Sequence, residues 1–79
     1  MNKKEFEDLL SMIVSHTVDI IAKRNNWDED YALKRFIRSS VYDALEDEKT
    51  KVWHFSTYML AELFQEEREG NLVWPVVLW

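Results

Sequence analysis

The sequence predicts an all-α protein: a small four-helix domain, its third helix short, followed by an extended apolar C-terminal strap. Three observations predict it. Apolar residues recur at helical spacing in four segments. One Gly and one Pro occur in 79 residues, too few for the frequent turns of a hairpin-rich β fold. The composition is 47% apolar and 14% aromatic, far from the low hydrophobicity that marks disorder. Residues 1–79 make a single domain. A chain of this size buries only about 60–65% of its unfolded surface, so its core is thin.

The first helix is predicted over residues 3–24. Phe6, Leu9, Leu10, Ile13, Thr17, Ile20 and Ile21 share one face, and Val14 and Val18 widen it to about half the circumference. Glu5, Asp8, Ser15, Asp19 and Lys23 form a narrow polar stripe. A helix with so wide an apolar face is contacted from two sides, which makes it central. Lys23 and Arg24 suit its C-terminal dipole, and Asn25-Asn26 ends it.

The second helix is predicted over residues 28–38. Asp28 is its expected N-cap, with Glu29 and Asp30 in the first turn. Ala32, Leu33, Phe36 and Ile37 form the expected buried stripe. Ser39-Ser40 reads as a kink or a fresh cap. A short helix follows over residues 41–47, with Val41, Ala44 and Leu45 inward. Residues 48–51 are a polar connector, and Val52-Trp53-His54-Phe55 is an apolar bridge.

The fourth helix is predicted over residues 56–69. Ser56 is its N-cap, and Phe55 and Leu60 have the spacing of a hydrophobic staple. Met59, Leu60, Leu63 and Phe64 are expected inward, and Gly70 closes the helix as its C′ residue. In residues 71–79, seven of nine are apolar, and no charge follows Glu69. Trp74 precedes Pro75 and is held extended. Leu72, Trp74, Val76 and Leu78 would share one face of the strap; Val73, Val77 and Trp79 would share the other. Such a segment needs cover on both sides, from its own domain and from a second chain. Leu72, Trp74, Val76, Val77, Leu78 and Trp79 are therefore the expected interaction residues, with a homodimer or another protein as partner.

Charge narrows the partners. The net charge of −5 lies wholly in the second half, since residues 1–40 are balanced while residues 41–79 carry three basic and eight acidic side chains. A nucleic-acid backbone would be repelled there. Asp43, Glu46, Asp47, Glu62, Glu66 and Glu69 form an acidic face. It reads as a solubilising surface, or alternatively as a mimic of nucleic acid that inhibits a nucleic-acid-binding protein. Lys34, Arg35 and Arg38, with Lys23 and Arg24, offer a basic patch or an ordinary solvated face.

No apolar run approaches the ~20 residues needed to span a bilayer. The basic start, Asn2-Lys3-Lys4, is followed by Glu5, Glu7 and Asp8, which break any signal-peptide core. The chain has no Cys, which excludes disulfides and thiolate zinc and fits a reducing cytoplasm.

Catalytic and metal constellations are weak. His16 and Asp19 lie three apart on the first helix, but two ligands are too few for a strong metal site. Ser15 and His16 leave a helix about 100° apart and do not meet. Asp28-Glu29-Asp30 lacks the alternate ligands and central Gly of a calcium loop. His54, between Trp53 and Phe55, reads as filling a junction. No catalytic residue, metal or cofactor is expected.

The stretch Tyr42-x-x-Leu45-x-Asp47-x-x-Thr50-Lys51-x-Trp53-x-x-Ser56, then Leu60 and Leu63, is similar to a pattern in an uncharacterised family of small bacterial helical proteins. It covers residues 42–64. The resemblance implies an all-helical fold and a bacterial or phage source, and it carries no activity across. Thr50 is expected to bond locally, and Trp53 to plug the junction of the first and fourth helices. The function expected is that of a non-enzymatic, small intracellular protein-interaction module, self-associating or pairing with another protein.

Overall fold

A computed structural model describes residues 2–72 and 74. Four α-helices account for most of them: α1 (Lys3–Asn25), α2 (Glu29–Ile37), α3 (Ser40–Leu45) and α4 (Thr57–Arg68). Two 3-10 turns, Glu48–Thr50 and Val52–His54, join α3 to α4. No strand occurs among the described residues. The all-α architecture is as the periodicity predicts.

Helix α1 is central, packing on α4 and on α2. Its apolar arc is wide enough to serve both neighbours. Phe6, Ile13, Thr17, Val18, Ile21 and Ala22 are buried, while Leu9, Leu10, Val14 and Ile20 flank them half-buried. The rest of the core comes from Ala32 and Phe36 of α2, Val41 and Leu45 of α3, Val52, and Leu60, Ala61, Leu63 and Phe64 of α4. Phe36 lies at the centre with no exposed surface, its ring 5.9 Å from Tyr42 and 5.9 Å from Phe64.

Helix ends follow local chemistry. Asn2 caps α1 by accepting from the Glu5 amide at 2.9 Å. Asn26 adopts the left-handed conformation, φ 55°, and the Trp27 amide turns back to the Ala22 carbonyl at 2.9 Å. Ser56 caps α4 by accepting from the Met59 amide at 3.1 Å. Gly70, φ +76°, closes α4, with its amide on the Glu67 carbonyl and the Asn71 amide on the Glu66 carbonyl. That pair of bonds is a Schellman motif.

Three expectations are corrected, and one left open is resolved. Asp28 occupies the N-cap position of α2, but its side chain makes no cap hydrogen bond. Ser39-Ser40 is a fresh cap rather than a kink. Ser39 accepts from the Tyr42 amide at 3.2 Å, and α3 runs from Ser40 to Leu45. Asp47 therefore lies beyond α3 and caps the first 3-10 turn, accepting from the Lys49 amide at 3.0 Å. Leu33, Ile37 and Met59, expected inward, are 38%, 44% and 42% exposed. On α2 the four expected core residues span about 140° of the helix. The packed helices cover only the Ala32–Phe36 side of that stripe.

Residues 42–64 resolve into packing and capping. The Thr50 hydroxyl donates to the carbonyls of Ala44 and Asp47 and accepts from the Val52 amide. Lys51 takes a left-handed conformation, φ 58°. The Trp53 indole donates to the Glu48 carbonyl at 2.9 Å, and its ring meets Phe6 edge-on at 6.0 Å.

Candidate functional site

Leu33 and Ile37 are one helical turn apart on α2 and exposed. They face Leu10, Val14 and Val18 of α1 across an open groove of about 680 Å³, and Tyr42 of α3 contributes to its lining. Ser11 and Ser15 add hydroxyls along the α1 wall. Glu7 on α1, and Glu29 and Asp30 on α2, supply carboxylates to the same lining. The groove is thus apolar along its floor and acidic at its edges.

Val18 and Ala22 are buried on α1, and Ala32 is fully buried on α2. Leu10 and Val14 lie one to two turns earlier on α1, half-buried against the core.

Asp30 forms an i,i+4 ion pair with Lys34 at 3.0 Å, and Glu7 pairs with Lys3 at 4.0 Å. All four side chains are well exposed, so these pairs contribute ~0–1 kcal/mol each and are easily exchanged.

The residues with candidate chemistry, Ser15, His16 and Asp19, all lie on α1. His16 and Ser15 are exposed on α1. Asp19 is held by Lys23 at 2.9 Å, and this ammonium lowers the Asp19 carboxyl below its ordinary value of 3.8. Among the described residues no cluster of three His, Cys, Asp or Glu has the arrangement of a metal site.

The five expected basic residues do not form one patch. Lys23 pairs with Asp19, Arg24 with Glu62 at 3.0 Å, and Lys34 with Asp30. Arg35 and Arg38 instead join Arg68 of α4 around a second hollow of about 300 Å³, together with Ser39, Phe64 and Glu67. Arg68 is committed within the fold. Its guanidinium lies 4.5 Å from the Trp27 ring and donates to the Asn25 side chain at 3.1 Å.

The acidic face is partly consumed internally. Glu62 binds Arg24, Asp47 caps a turn, and Glu69 accepts from Gln65 at 3.2 Å. Asp43 and Glu46 are exposed on and beside α3, and Glu66 is half-buried. Of the expected strap, Leu72 is half-buried against the core and Trp74 is 40% exposed. Val76, Val77, Leu78 and Trp79 lie outside the described residues.

Compared with protein-family models, curated proteins and solved structures, the chain matches none. No described helix is long and apolar enough to cross a membrane.

Proposed function

We propose that this protein is a non-enzymatic interaction module that pairs with another protein through the groove between α1 and α2. The supporting observation is the exposure of Leu33 and Ile37 beside Leu10, Val14 and Val18. Isolated exposed aliphatic residues are ordinary, but a contiguous apolar patch with a polar rim is a mark of interaction surfaces. Ser15 and His16 leave α1 about 100° apart, which supports the non-enzymatic reading, because a nucleophile needs a base within hydrogen-bond reach. A cytoplasmic location agrees with the absence of Cys.

The strap adds a second contact surface. Leu72 and Trp74 begin a segment whose remaining residues are apolar, and homodimerisation through it belongs to the same proposal. Mimicry of nucleic acid has less support, since Glu62, Asp47 and Glu69 are engaged by the protein's own groups.

The test compares proteins retained by the intact chain with those retained by two variants. Leu33→Glu with Ile37→Glu should abolish retention of the specific partner while leaving the helical spectrum intact. Glu62→Gln with Glu66→Gln and Glu69→Gln should preserve retention and the helical spectrum. Retention that survives the first variant and fails in the second would overturn the groove and favour the acidic face.

A further inference from the structure

Resting on that reading, we infer that the groove's partner is a basic amphipathic helix about three turns long. Length comes from α1. The groove follows it from Glu7 to Val18, about 16 Å at ~1.5 Å per residue, which accommodates about eleven residues of a second helix. Apolar side chains at i, i+4 and i+7 of such a helix would lie along Leu10, Val14, Leu33 and Ile37, the mode in which helices enter apolar grooves.

Charge selects the sign of the partner's flanks. Glu7, Glu29 and Asp30 border the groove, and its lining contains no Lys, Arg or His. Lys3 and Lys34 reach two of these carboxylates only in solvent-exposed pairs, which an incoming Lys or Arg can replace. The same charge argues against two other occupants. A second copy docked groove to groove would place acidic rim against acidic rim. The strap of this chain carries no basic side chain after Arg68, so it leaves the rim unanswered. Complementary charge mainly sets specificity and association rate.

The test uses three labelled synthetic helical peptides of about twelve residues with the same Leu face and with Lys, Gln or Glu on the flanks. Each is titrated into the intact protein and followed by fluorescence anisotropy and amide NMR. The Lys peptide should shift the amides around Leu10, Val14, Leu33 and Ile37. It should bind about tenfold or more tightly than the Gln peptide at low salt, and this advantage should shrink as salt screens the rim. The Glu peptide should not bind. Glu29→Lys should weaken the Lys peptide and leave the Gln peptide unaffected.

Equal binding of the Lys and Gln peptides at the groove would overturn the basic partner and leave the groove intact as a docking site. Failure of all three to shift groove amides would overturn both. Shifts that arise on raising the protein concentration alone would assign the groove to a second copy and overturn the inference.

Discussion

Thr17 is the residue whose placement is least expected from its chemistry. It is fully buried in α1, and its hydroxyl has no hydrogen-bond partner among the described residues. A buried hydroxyl without a partner costs about 1–3 kcal/mol. Thr17→Val keeps the shape and removes the polar atom. It should raise stability by ~1 kcal/mol, read from denaturant melts, and a loss of stability would show that the hydroxyl is satisfied. Thr17 was legible as a core position from spacing alone, because it recurs with Ile13, Ile20 and Ile21. The hydroxyl's lack of a partner was not legible, since it depends on which neighbour faces it. Thr50 shows the reverse. Its local bonding is predictable from its place in a polar connector, and the structure supplies the partners Ala44, Asp47 and Val52.

At the scale of elements, α3 depends on a group from another helix. It has six residues, and helices this short are marginal on propensity alone. Ser39 satisfies one amide of its first turn. Glu67 of α4 supplies the rest, with its carboxylate accepting from the Ser40 amide at 3.1 Å and from the Ser40 hydroxyl at 2.7 Å. This carboxylate at a helix N-terminus also meets the positive end of the dipole. Glu67→Ala should cost ~1 kcal/mol. That corresponds to a fall in Tm of about 4–8 °C for a domain of this size. Glu67→Gln should recover part of it. An unchanged Tm would mean that α3 is held by Val41 and Leu45 without the cap. The sequence revealed the four helices because each has its own period and stop signals. It did not reveal this cap, because residues 40 and 67 are remote in sequence. It also placed Leu33, Ile37 and Met59 in the core. Periodicity reports which residues share a face of α2 or α4, but not how much of that face a neighbour covers.

On the scale of the whole molecule, two segments bear on interaction: the α1–α2 groove and the strap, whose sequence is apolar from Leu72 onward. Leu72 already packs on the core, so a chain stopped at Gly70 should be less stable. If the strap also joins two copies, light scattering at micromolar concentration should give twice the monomer mass for the intact chain and the monomer mass for the truncated one. A monomeric intact chain whose melting is unaffected by truncation would remove the strap from both roles. The groove is the more demanding claim, because it requires Leu33 and Ile37 to be free in the folded chain. The most direct measurement is the Tm of Leu33→Glu with Ile37→Glu, taken on the intact chain together with its helical circular dichroism. If the groove is open for a partner, the charges replace side chains already 38% and 44% exposed. The cost should then be ~1 kcal/mol or less, a fall of no more than about 4–8 °C, with the helical signal unchanged. If the groove is instead covered by the strap or by a second copy, two carboxylates would be forced into an apolar interface. Loss of the folded signal, or a fall in Tm well beyond that range, would contradict the account.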